Sequence, residues 1–112
     1  MSPVEHPRRG EVWWVAFDAS VGGEIRKTRP AVIVSNDIAN RALNRVQVLP
    51  VTSNVSRLSP SEAWITVAGE RSKAMADQLA TVSKARLRQR IARISAEELE
   101  AVSRAIRVQL QL

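Results

Sequence analysis

Two short polar stretches of this chain carry side chains that could do chemistry. Residues 22–30 (GGEIRKTRP) set Glu24, Arg26, Lys27 and Arg29 beside a glycine pair, just ahead of an apolar run. Residues 50–54 (PVTSN) place Thr52, Ser53 and Asn54 directly after another such run. A guanidinium presents a planar fork of donors that matches phosphodiester oxygens. A threonine hydroxyl can donate to a phosphoryl oxygen. Loops mounted on a rigid scaffold are the usual seat of such groups. A plain basic loop followed by a hydroxyl turn is the alternative, and composition alone leaves it open.

Other chemistries find little support. The single histidine, His6, lies in a polar N-terminal stretch where solvation is expected, so two-histidine acid–base catalysis is excluded. With no cysteine there are no disulfides, thiolate nucleophiles or cysteine-based zinc sites. The 11 acids are scattered without metal-ligand spacing, and the adjacent Glu97 and Glu98 fit a helix cap. Nucleotide-binding glycine motifs and a nucleophile elbow are missing. Any reaction must therefore run on Arg, Lys, Ser, Thr, Glu or Asp, with no metal and no cofactor expected.

The charge balance points outward. Against those 11 acids stand 17 Lys and Arg, a formal charge of +6. Such a chain draws polyanions: nucleic acid first, an acidic protein segment second, an anionic membrane third. No apolar run approaches the roughly 20 residues needed to span a bilayer. The polar start lacks a signal-peptide core, so a cytoplasmic location is expected.

The elements that must position these groups are mostly strands. Residues 11–17 (EVWWVAF) are β-branched, aromatic and apolar on both faces, which suits a small barrel better than an open sheet. Residues 31–35 (AVIVS), entered through Pro30, and 46–51 (VQVLPV) follow as strands. Pro50 suggests an edge or a bulge, because proline cannot donate to a ladder. A helical turn over residues 38–43 is expected between them. Residues 63–68 alternate as a strand, residues 73–82 hold one or two more around Asp77 and Gln78, and 91–94 form a last short one. Between these last two, residues 83–87 form a helical turn. Ser95 and Glu98 have the form of a capping box. Leu99, Val102, Ile106 and Leu110 then trace one helix face, with Glu100, Arg104 and Arg107 opposite. Strands followed by one terminal helix predict a compact barrel with an appended helix, one domain over residues 1–112 with a mobile segment at 1–8.

In this order, residues 9–15 (RGEVWWV), 23–24 (GE), 27–35 (KTRPAVIVS), 50–53 (PVTS) and 77–78 (DQ) resemble the MazF/PemK (Kid) family of toxin–antitoxin toxins. The match runs from about Arg9 to the terminal helix. It implies an SH3-like, CcdB/MazF-type barrel, mainly β with a C-terminal α-helix, acting as a homodimer. It implies metal-independent cleavage of single-stranded RNA at short motifs. The products would be a 2′,3′-cyclic phosphate, or its opened form, and a 5′-hydroxyl. Arg29 matches the family's catalytic arginine, Thr52 its catalytic threonine and Glu24 its loop acid. Some members carry an arginine two residues before the D-Q pair and another shortly after it. Those positions here are Met75 and Ala80, so the weight falls on Arg29 and Thr52.

The resemblance further implies that a cognate antitoxin lays an acidic, partly disordered tail over the RNA groove. Lys27, Ser53, Asn54, Arg57, Asp77 and Gln78 are the candidate RNA-binding residues. Trp13, Trp14 and Trp64 could stack bases, though at least two of them are expected in the core. Two rival readings remain at this level. One is a CcdB-like toxin that inhibits gyrase without enzymatic activity; the other is a basic nucleic-acid-binding module.

Overall fold

The computed structural model describes residues 6–17 and 27–112. Seven strands and two helices follow in order: β1 (Glu11–Ala16), β2 (Thr28–Ile33), α1 (Asp37–Ala42), β3 (Arg45–Thr52), β4 (Glu62–Val67), β5 (Glu70–Met75), β6 (Ala80–Ser83), β7 (Leu87–Arg93) and α2 (Ala96–Leu110). The 3₁₀ turns Ala76–Gln78 and Lys84–Arg86 bracket β6. The strand order is β4-β5-β3-β2-β1-β7, with β6 also paired to β3, and the pairings are antiparallel.

The long strand β3 is the pivot. One side carries β2. The other carries β6 along Arg45–Val48 and then β5 at Val51 and Thr52. This change of partner curls the sheet into a half-barrel with a buried cluster on each face. Val12, Val32, Leu49, Ile65 and Ala74 fill one face and are closed by Val102 and Ala105 of α2. Val15, Ala31, Ile33, Val46, Val48 and Val82 fill the other. Period-two alternation along β1 to β3 supplies both, which is why those strands read as apolar throughout.

Several details differ from expectation. Pro50 sits on neither an edge nor a bulge; it is buried and pairs with Ala31 in the middle of the sheet. It is tolerated because Leu49 and Pro50 fall in the gap between the β6 and β5 ladders, where its missing N–H is not required. Strand β2 begins at Thr28 rather than Ala31, and β7 begins at Leu87 rather than Ile91. The capping box of α2 is present, with both Ser95–Glu98 hydrogen bonds made. Its buried face centres on Val102 and Ala105, while Leu110 is exposed because the last turn adds nothing to the core. Of the N-terminal stretch expected to be mobile, residues 1–5 lie outside the described residues. His6 is half-buried rather than solvated, and Pro7 is buried.

One buried carboxylate ties three parts of the chain together. Glu11, 2% exposed, accepts the Arg8 N–H at 2.8 Å, the Trp13 indole N–H at 3.1 Å and the Arg90 guanidinium at 3.1 Å. Burial alone would raise its pKa. The hydrogen bonds from Arg8, Trp13 and Arg90, with the charge of Arg90, outweigh burial and hold it below the ordinary carboxylate value. A lowered folded-state pKa gives stabilisation that is complete above the ordinary value of 4.5 and lost as pH falls through the lowered one. Glu11→Ala is expected to cost about 2 kcal/mol, because the part-buried donors of Arg8, Trp13 and Arg90 lose their shared acceptor. Its thermal midpoint should also change less between pH 5 and pH 3 than that of the wild type.

Candidate active site

The main core opens at one end into a cleft of about 490 Å³ lined by Trp14, Arg29, Pro30, Val51, Thr52, Ser53, Val67, Ala68, Glu70, Ser72 and Ile91. Its floor continues the alternation of the core. Trp14 is the next inward position after Val12, Pro30 the one before Val32, Val51 the one after Leu49, and Ser72 the one before Ala74. The cleft is therefore the mouth of the half-barrel, between the β4–β5 arm and β1–β7.

Arg29 and Thr52 meet here. Ala31 pairs with Pro50, Val32 with Leu49 and Ile33 with Val48. The same register, carried two residues further along both strands, sets Arg29 opposite Thr52 at the rim. Among the described residues, no hydrogen bond or ion pair engages the Arg29 side chain, so its guanidinium is available to an incoming anion. The Thr52 hydroxyl accepts the Asn54 N–H at 3.1 Å. That leaves its own O–H proton to donate. The plain hydroxyl turn is thus real, and it aims a donor rather than consuming one.

The remaining candidates fall around this pair or away from it. Ser53 lines the cleft and is exposed. Asn54 is exposed but turned to its own loop, where its side-chain oxygen accepts from the N–H and hydroxyl of Ser56. Lys27 is exposed, and its carbonyl accepts the Phe17 N–H at 2.9 Å across the base of the β1–β2 connection. Glu24 belongs to that connection and lies outside the described residues. Arg57 is exposed outside the cleft lining. Asp77 and Gln78 occupy the 3₁₀ turn after β5, at the other end of that strand from Glu70 and Ser72, and do not line this cleft. Trp13 packs on the second core cluster, and Trp64 lies 4.0 Å beneath the Arg71 guanidinium. Trp14 alone of the three lines the mouth, 39% exposed.

Sequence reasoning missed Glu70 and Ser72. Only the β4–β5 hairpin brings them to the mouth, and the sole signal was the Ala68-Gly69 turn that makes it. Both turn residues have positive φ, 51° and 85°, as a two-residue hairpin requires. Ala68, at an angle that favours glycine, stores strain in the cleft wall.

A buried ammonium fixes the loop that follows Thr52. Lys73, the register partner of Thr52, donates to the Arg57 carbonyl and, at 3.1 Å, to Glu62. The Ser59 N–H is the chief cause of the lowered Glu62 pKa; burial opposes it and Lys73 adds to it.

The comparisons with known proteins agree with this architecture. Residues 8–110 match the family described as PemK-like, MazF-like toxin of type II toxin-antitoxin system. The chain is 39% identical to the endoribonuclease MazF9 of Mycobacterium tuberculosis, over 94% of this chain and 97% of that protein. Among solved structures it is similar to MazF from Deinococcus radiodurans, with a TM-score of 0.81 and 24% identity over 97% and 100% of the two chains. It is similar also to an endoribonuclease from Mycobacterial species in complex with its cognate antitoxin, with a TM-score of 0.80 and 21% identity over 95% and 96%. The chain therefore belongs to the PemK-like, MazF-like toxins of type II toxin–antitoxin systems and is a toxin endoribonuclease.

Lys73→Ala is expected to lower stability by about 3 kcal/mol, because Glu62 and the Arg57 carbonyl lose a charged donor. It should also raise backbone exchange across residues 53–61, read by hydrogen–deuterium exchange. Retained protection in that loop would show that Lys73 does not hold it.

Proposed function

We propose that this chain cleaves single-stranded RNA in the Arg29–Thr52 cleft by attack of the RNA's own 2′-oxygen. One observation carries the reading: an unengaged guanidinium and a donor-ready hydroxyl, on neighbouring strands, line one rim. The 2′-oxygen forms a bond to phosphorus and loses its proton to a base. The bond from phosphorus to the 5′-oxygen breaks, and that oxygen takes up a proton. A 2′,3′-cyclic phosphate and a 5′-hydroxyl result. DNA, which lacks the nucleophile, is spared, and the protein needs neither its own nucleophile nor a cofactor for the step.

What the protein must supply is alignment and charge stabilisation. Arg29 and Thr52 hold the non-bridging oxygens as charge builds on them. A guanidinium, with a pKa above about 12, is a poor base near neutral pH, so Arg29 acts as the electrostatic clamp. The base is a carboxylate, with Glu24 on the β1–β2 connection and Glu70 on the cleft wall as the two candidates. Ser53 extends the groove, and the exposed Lys27 and Arg57 supply positive charge to the RNA strand beyond it. The 112 residues act as one catalytic domain in the cytoplasm, and as a homodimer.

A cognate antitoxin is the natural partner, since a solved relative is in complex with its own. An acidic, partly disordered tail would cover the basic mouth and compete with RNA. The gyrase-inhibiting alternative is disfavoured, because that mode has no use for a phosphate-binding pair.

On a long single-stranded RNA, Arg29→Ala and Thr52→Ala should each slow cleavage by about 10²–10³-fold with the fold intact. Arg29→Lys should also be poor, since one ammonium cannot replace the fork. Near-normal cleavage by both alanine variants on a denaturing gel would overturn the assignment. Comparing Glu24→Gln with Glu70→Gln identifies the base, as the variant that loses the alkaline plateau of the pH–rate profile.

A further inference from the structure

Strand β1 carries Trp14 in register with two neighbours, Pro30 on β2 and Gln89 on β7. Cross-strand partners project to the same face of a sheet. Trp14 and Pro30 both line the cleft, so pairing sets Gln89 on the same face, just outside the cleft lining and between the two register shifts of the β1–β7 ladder. The next position on that face, Ile91, also lines the cleft, and it sits where the β1–β7 register shifts between Val12 and Trp13. A bulge of this kind re-aims side chains at a sheet end. The Gln89 side chain is exposed and makes no hydrogen bond among the described residues.

The three tryptophans are placed differently. Trp13 donates its indole N–H to Glu11 and packs on the second core, and Trp64 is covered by Arg71. Trp14 remains 39% exposed in the mouth of the half-barrel. A large aromatic left half-open in a cleft, with an unengaged primary amide beside it, is the pair of groups that recognises an unpaired base. The ring stacks on the π-face, and the amide, with both donors and an acceptor, reads an edge. Neither group carries charge, so neither adds to the long-range attraction for phosphate.

We infer that Trp14 and Gln89 form a base-reading subsite of the cleft and determine which nucleotide is accepted next to the scissile phosphate. This rests on the proposed cleavage at Arg29 and Thr52 and adds the specificity-determining residues to it. Trp14 sets how tightly a base is held, and Gln89 sets which base it is.

The test uses the full chain and a pool of single-stranded RNA with a randomised central stretch, with cut ends mapped by sequencing. A short oligonucleotide bearing the motif that the wild type selects then serves for kinetics. Trp14→Ala should raise KM for it about 5- to 100-fold with kcat largely kept. Trp14→Phe should recover most of that loss. Gln89→Ala should blur the preference at one position of the motif, and Gln89→Glu should change which base is preferred there. Thermal unfolding of each variant separates a lost subsite from a lost fold, and Trp14→Phe keeps the test open if the alanine variant is unstable. Unchanged KM in Trp14→Ala and an unchanged motif in both Gln89 variants would overturn the inference while leaving the Arg29–Thr52 reading in place. Absence of cleavage by the wild type would overturn both.

Discussion

Three cross-strand pairs, Ala31 with Pro50, Val32 with Leu49 and Ile33 with Val48, lock β2 against β3, and the site inherits its geometry from that lock. Side chains alternate with a period of two, so a slip of one residue would send every buried valine and isoleucine of β2 to the wrong face. Burial thus specifies the register strongly. Val32 and Ile33, like Val48 and Leu49, are fully buried, and they feed opposite faces of the sheet. The chemistry-bearing side chains lie two residues beyond the last of these pairs. Their meeting is a consequence of core packing rather than of any direct bond between them.

The same packing explains why the site is a mouth and not a buried pocket. A chain of 112 residues has one core to spend on stability, and its interior is filled. The alternation that fills it continues past α2 to the cleft, where the partly open Trp14 and Pro30 join the buried Val51 and Ser72 in the floor. At the rim the residue type changes again, to a guanidinium, hydroxyls and a carboxylate. An apolar floor that seats a base below a polar rim that holds a phosphate is what an enzyme acting on a flexible single strand needs.

Much of this was legible in the sequence. The apolar runs marked β1, β2 and β3 with small errors at their ends, and the Ser95–Glu98 capping box marked the start of α2. Arg29 and Thr52 stood out because polar groups followed or preceded buried strands abruptly, and the family resemblance named them. What stayed hidden depended on tertiary pairing. Pro50 looked like an edge signal, because a change of ladder partner along one strand leaves no local trace. Glu70, Ser72 and Gln89 fall between the strands expected from sequence; only the hairpin at Ala68-Gly69 brings the first two to the mouth, and only the β1–β7 register sets Gln89 beside Trp14. Asp77 and Gln78 belonged to the resembling motif, yet β5 carries them away from the cleft that the same chain forms.

The central claim is that one phosphate is held by Arg29 and Thr52 together, and a double-mutant cycle measures that directly. Single-turnover cleavage of one oligonucleotide would be followed with the wild type, Arg29→Ala, Thr52→Ala and the double variant. If both side chains act on the same charged group, the double variant should be little slower than the worse single one, because removing either already spoils the shared contact. Losses that multiply in full would mean that the two residues act independently, and would contradict the account.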